Sequence, residues 1–351
     1  MSRFMYPFMS WLPALALAVF SSNALSQERQ TAPSPLFGSQ EPLALSIRAS
    51  IRELKGETND STYLHATLYY GPRESASDSV AIRMRARGHA RRDICFYPPL
   101  ALRFSEGDVR GTPFEGQKEV KLVMPCQAGA PYEDLVLREL LAYRLFEQVS
   151  PFYYKTRPVQ LEFTEMRGNR ERKRQYWAFL LEDHGALADR LNAQRVRRNV
   201  PPQMQDAVAG IRDNLFQFMI GNTDFSMRMQ HNQRLYYIEE AYVSLPYDFD
   251  MSGLVNAPYA AVSNIQNLNA NITEVTERLY KGYFRDTIQM QQVRQEFLAA
   301  RPRMEQCISD LEPYFKDRLQ WLEAREYIKS FFDILESDRL FERRILEHMR
   351  N

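Results

Sequence analysis

Cysteine, histidine and net charge are all scarce in this chain, and each scarcity excludes something. The three cysteines, Cys95, Cys126 and Cys307, form no C-x-x-C spacing and the five histidines are scattered, so metal binding by cysteine is not expected. A formal net charge of +1 argues against a dedicated nucleic-acid binder, which usually carries a strongly basic face. Beyond the N-terminal stretch no apolar run is long enough to cross a bilayer, so stable membrane insertion is not expected. Internal repeats are absent as well. What remains is ordinary globular composition, 44% hydrophobic and 25% charged over 351 residues, enough for two lobes or two small domains.

The N-terminus reads as a targeting segment. Arg3 precedes an apolar run over 8–20, and Ala24 and Ser26 stand in an A-x-A-like arrangement. This pattern predicts a secretory signal over 1–26, cleaved near Ser26–Gln27; an uncleaved anchor is the alternative. The expected location is therefore the periplasm or outside the cell. In such an oxidising compartment Cys95 and Cys126, which share the N-terminal region, are the expected disulfide, with Cys307 left over.

A polar leader over 27–41 is followed by alternating apolar and polar residues at 43–51, 63–70, 79–87, 100–104 and 120–124. These are strand signals, and they predict an antiparallel sheet. A helix is expected over 132–149, where Leu137, Leu141 and Leu145 recur at i+4. Two strands at 158–163 and 176–181 flank the basic tip 167–174, which reads either as a solvated turn or as a contact for an acidic partner. A helix over 203–220 leads into two acid-bearing turns, and helices over 273–283, 287–300, 304–314 and 316–349 follow. The expected architecture is α+β: a β-rich N-lobe over 42–183, a C-lobe over 184–270 and a helical region over 271–351.

The two turns carry the chemistry. Asp224 follows the apolar end of the 203–220 helix; Asn232 comes eight residues later, and Asp248 and Asp250 stand on the next turn. Phosphoryl transfer needs a cation on the donor phosphates, an acid to orient that cation, an acid at the acceptor hydroxyl, and metal ligands. Lys121 in a strand and Glu139 in the following helix suit the first two parts, Asp224 the third, and Asn232, Asp248 and Asp250 the fourth. The plainer readings are a solvent-facing Lys121, a surface pair of Glu139 with its neighbour Arg138, and a simple turn at Asn222-Thr223-Asp224. The run Asp248-x-Asp250-x-Ser252-Gly253 resembles the start of a calcium loop, but Tyr259 stands where an EF-hand needs an acid.

The segment from Asp224 to Asn232, the tyrosines at 236 and 237, and Tyr247-Asp248 together resemble the catalytic region of the CotH (spore-coat protein H) kinase-like family of secreted atypical kinases. Arg85-Ala86-Arg87-Gly88, the helix segment around Glu139, and the strand ending in Glu182 resemble other parts of that family, and there is a more distant similarity to HipA-type kinases. The resemblance covers about 80–253. It implies a two-lobed protein-kinase-like fold, Asp224 as the catalytic acid, Asn232 and Asp248 as metal ligands, and Lys121, with Arg103 on a competing strand, as the phosphate-binding cation. It also implies Glu182 at the nucleotide hinge, ATP with Mg2+ or Mn2+ as cofactors, and a secreted or envelope protein as the phosphate acceptor. Two readings without catalysis stand beside it: a pseudokinase or envelope-binding module, and a calcium-stabilised surface domain.

Overall fold

Strand β1 (Leu43–Ala49) buries Leu45 and Ile47 on one face and turns Ser46 and Arg48 the other way, as a period of two requires. Its two edges decide the architecture. One edge pairs antiparallel with β2 (Leu64–Gly71), and the other pairs parallel with β6 (Thr156–Arg167) over a seven-residue register from Leu43↔Val159 to Ala49↔Glu165. Strands β3 (Asp78–Ala86), β4 (Leu100–Arg103), β5 (Glu119–Val123) and β7 (Arg170–Glu182) continue antiparallel from β2 around to β6, so the sheet closes on itself in the order β1-β2-β3-β4-β5-β7-β6. This is a computed structural model, and it describes residues 1, 35–71, 77–88, 90–263, 265 and 272–350. The expected signal segment lies almost wholly outside the described residues. Residues 33–351 form one compact unit.

The expected two-lobed kinase-like fold with an antiparallel N-lobe sheet is therefore overturned. The sheet is a closed, mixed, seven-stranded barrel with helices packed on it. Its physical reason is the β1–β6 pairing, which joins strands more than a hundred residues apart and removes both sheet edges.

The barrel interior is filled by Leu45, Ile47, Leu68, Ile82, Leu102, Leu122, Val159, Leu161, Phe163 and Leu180, all buried. Outward residues of the same strands build a second core. On β7 Ala178 and Leu180 face the barrel, whereas Phe179 and Leu181 join Leu140, Leu141 and Phe146 of α3 (Ala130–Glu147). Each such fully buried side chain contributes about 1.5–3 kcal/mol. The short helix α4 (His184–Arg190) adds Leu187, and α5 (Ala207–Met219) completes that core with α6 (Thr287–Leu311) and α7 (Arg318–Glu336). A small antiparallel sheet is formed by β8 (Gln194–Arg195), which precedes α5, and by β9 (Gln233–Ile238) and β10 (Ala241–Pro246), which lie between α5 and α6 in the chain.

Several local expectations change. Two short helices, α1 (Ile51–Glu57) and α2 (Ala90–Ile94), stand where strand ends and a turn are expected; Ser50 Oγ caps α1 at the Glu53 N–H. The stretch 273–283 is not helical; Arg278 hydrogen-bonds to Met219 O and Lys281 to two carbonyls, so tertiary contacts hold it. Helix α6 runs unbroken through Pro302, although separate helices over 287–300 and 304–314 are expected. No helix among the described residues is long and apolar enough to cross a membrane.

Cys95, just after α2, and Cys126, just after β5, are joined by a disulfide, and Cys307 is free. The bridge closes a loop with a sequence separation of 31, which in a chain-entropy account stabilises the fold by about 3–4 kcal/mol. Cys95→Ser is accordingly expected to lower the unfolding free energy by about 3–4 kcal/mol and the urea midpoint with it, read from equilibrium unfolding with and without reductant. A midpoint that reductant leaves unchanged in the parent protein would show the bridge to be absent.

Candidate functional site

Asp224 is placed by a buried chain of amides that starts inside α5. Asp213 Oδ1 accepts from Gln217 Nε2 and Gln233 Nε2; Gln217 Oε1 accepts from Asn222 Nδ2 at 2.9 Å; Asn222 Oδ1 accepts from the Asp224 N–H at 2.9 Å. Burial pushes the Asp213 carboxyl up to about 7. Gly221 sits at φ 62, and a Cβ there would meet the Tyr327 hydroxyl at 2.0 Å, so only glycine lets the chain leave α5 at this point. Lys281 clamps the far side through the carbonyls of Thr223, at 2.8 Å, and Phe225, at 3.0 Å.

The loop returns through Ser226 and His231, which pair antiparallel and bring His231 and Asn232 back onto Asp224. His231 Nε2 lies 3.1 Å from Asp224 Oδ1, and Asn232 Nδ2 donates to Asp224 Oδ2 at 2.9 Å and to its carbonyl at 2.7 Å. Burial works against the charged carboxylate, yet hydrogen bonds from His231, Ser263 and Asn232 hold it below its usual range. His231 is shifted the other way, mainly by its bond to Asp224. Asp224 is therefore ionised at neutral pH, the state needed to accept a proton.

Asp248 follows β10 in the left-handed region, at φ 65, and its N–H donates to the Tyr143 hydroxyl of α3 at 3.0 Å. The adjacent Tyr247 N–H donates to Asn232 O at 3.1 Å, so the two acid-bearing turns are stitched together. Of the three expected residues, Asp224 and Asn232 are thus in direct contact, and Asp248 follows the Tyr247 N–H that is bonded to Asn232.

The other expected residues go elsewhere. Glu139 does not clamp Lys121 and does not pair with Arg138. Its Oε2 accepts from Arg91 Nη1 at 3.0 Å, and Arg91 Nε also approaches Asp250 Oδ2 at 3.6 Å. All three side chains are buried, and burial, more than any neighbouring charge, holds both carboxyls above their ordinary range. Arg138 reaches Glu323 of α7 instead. Glu182 is taken by a bidentate bond from Arg190 and by the Lys155 N–H. Arg103 pairs with Glu119 beside the Tyr63 ring.

Lys121 is buried, with its Nζ 2.9 Å from His184 Nε2 and 4.0 Å from Asp183 Oδ1. Burial first, and Arg87 next, hold its ammonium well below the usual range; burial and Lys121 do the same to His184. Arg91 and His184 escape the sequence reading. Neither lies on an amphipathic repeat, and each acquires its role from a partner on a distant element.

Among the described residues no group of three or more His, Cys, Asp and Glu is placed to hold a metal ion. Asp250, expected as a ligand, faces Arg91, which also leaves the calcium-loop reading without its second acid. Asp248 and the Oδ1 of Asn232 remain. One carboxylate and one amide oxygen fit Mg2+ only where phosphate oxygens and water complete the shell. No family model, curated protein or solved structure matches the chain.

Proposed function

We propose that this protein is an extracytoplasmic phosphotransferase that moves a phosphoryl group from ATP to a Ser or Thr hydroxyl of a secreted or envelope protein. The observation that carries the reading is the ionised Asp224, fixed by Asn232 and His231 next to Asp248. Phosphoryl transfer asks little covalent chemistry of a protein and much positioning and charge compensation. Asp224 orients the acceptor hydroxyl and takes its proton. Its carboxylate is kept in place by the amide chain from Asp213, so little reorganisation accompanies the step. Mg2+ or Mn2+, held by Asp248 and Asn232 together with the donor's phosphate oxygens, would neutralise charge on the transferred group. The resemblance of the 224–248 region to CotH-like kinases belongs to this proposal as support for its chemistry. The Cys95–Cys126 disulfide supports an oxidising compartment.

The test is direct. Purified protein with Mg2+ or Mn2+ and γ-labelled ATP is expected to label itself or a generic Ser/Thr substrate. Absence of labelling, together with no nucleotide-induced rise in Tm, would remove the reading. A rise in Tm without labelling would instead mark a non-catalytic nucleotide-binding module.

A further inference from the structure

Beside the acids stands a group of arginines that, among the described residues, make no ion pair with a carboxylate, with Lys121 close by. Arg195 on β8 is opposite Tyr236 on β9, and Arg234 lies two residues before Tyr236, so the period of two puts these three residues on one sheet face. That face meets His184, whose carbonyl accepts from the Tyr236 hydroxyl at 3.3 Å. The Arg234 guanidinium lies 5.2 Å from the Tyr247 ring, and that ring lies 5.0 Å from His184. Lys121 is on the other side of His184 at 2.9 Å. From the barrel, Arg87 leaves β3 with its N–H on Pro99 O, next to β4, whose Ala101 is the register partner of Lys121.

Among the described residues Arg87, Arg195, Arg197 and Arg234 make no ion pair and no side-chain hydrogen bond, and Arg234 Nε is buried without a partner. The neighbouring carboxylates are Asp183, 4.0 Å from Lys121, and Asp248. Guanidinium groups left unpaired and brought together repel one another unless an anion joins them; a fork of N–H donors matches phosphate oxygens. Arg87 and Arg234 are half-buried and Arg195 is exposed, so the group runs from the interior to solvent, with Lys121 beneath it.

We propose that Arg87, Arg195 and Arg234 form a binding site for a linear polyphosphate, the chain of phosphates carried by a nucleoside triphosphate. Arg195 and Arg234 come from neighbouring strands and Arg87 from the barrel, and a chain of linked phosphates offers an oxygen group to each of them. The proposal rests on the phosphotransferase reading only for the identity of the donor.

The probe is inorganic tripolyphosphate, titrated calorimetrically against the full chain and compared with orthophosphate. Tripolyphosphate is expected to bind in preference to orthophosphate. Arg87→Gln and Arg234→Gln should each weaken it by about tenfold or more, the loss of one charge-assisted contact. Arg195→Gln should also weaken it, while Arg52→Gln on the exposed face of α1 should leave it unchanged. Arg195 is exposed, so its variant keeps the test decisive if Arg234→Gln fails to fold. Absence of binding, equal affinity for orthophosphate, or equal weakening by Arg52→Gln would overturn the site. Tripolyphosphate binding without transfer from ATP leaves this site standing and removes the phosphotransferase reading. Transfer that is unchanged in Arg87→Gln and Arg234→Gln does the reverse.

Discussion

Asp224→Asn is expected to lower phosphoryl transfer by about 10²–10⁴-fold, the range for removing a positioned general base, while leaving the fold intact. The asparagine preserves side-chain shape and one acceptor oxygen, so the Asn232 bond at 2.9 Å and the loop path can persist. What it removes is the negative charge and the ability to take a proton. Transfer of label from ATP measures the first effect, and the unfolding midpoint by circular dichroism measures the second. The two readouts matter together, because Asp224 is also bonded to His231, and a collapse of the loop would lower activity for a different reason. Asn232→Ala serves as the companion variant. It leaves the Asp224 charge but removes both the hydrogen bonds that hold the carboxylate and the amide oxygen proposed for the metal, so it too should lower transfer. Full transfer by both Asp224→Asn and Asp224→Ala would remove Asp224 from the chemistry.

Arg91→Met is expected to destabilise the protein by about 3–5 kcal/mol at neutral pH, the cost of removing one partner from a buried ion pair. The side chains of Arg91, Glu139 and Asp250 are 9%, 3% and 7% exposed. Without the guanidinium, two carboxyl groups are left buried together with no counter-charge. They can stay buried only by binding protons, which raises their folded-state pKa further above the unfolded value. The native state then binds more protons than the unfolded chain, so stability falls as pH rises from about 4 toward and beyond neutrality. The deficit of Arg91→Met relative to the parent protein should accordingly be smaller at pH 5 than at pH 8. Adding Glu139→Gln should recover part of the loss at pH 8, since it removes one of the two charges. Urea unfolding of the three proteins at both pH values measures this. A deficit that does not depend on pH would show that packing, not charge, explains the effect of Arg91.

Local pattern carried much of the secondary structure. The i+4 leucines of α3 and the alternating residues of β1, β3 and β6 are visible as strings because each element buries one face, and burial imposes its period on the sequence. The Asp224–Asn232–Asp248 grouping was legible for a related reason: the three residues lie on two consecutive turns joined by a short hairpin, so sequence distance tracks spatial distance. Beyond such ranges the pattern is silent. Lys121 and Glu139 are close in sequence and suited in charge, but Arg91 takes Glu139 and His184 meets Lys121, because the barrel and α3 bring those side chains nearer.

By itself the sequence determined the main barrel strands, the long helices such as α3 and α5, and the acids that the two polar turns carry, since these follow from periodicity and turn chemistry within a few residues. Tertiary structure alone decided that the strands close into a barrel, because the β1–β6 register joins residues such as Leu45 and Leu161 whose alternation is compatible with an open sheet or a closed one. It alone also decided the charge balance of the site. Whether a buried Asp250 binds a cation or pairs with Arg91, and whether Arg87, Arg195 and Arg234 find carboxylates or stand together without them, depends on which distant elements pack against each other.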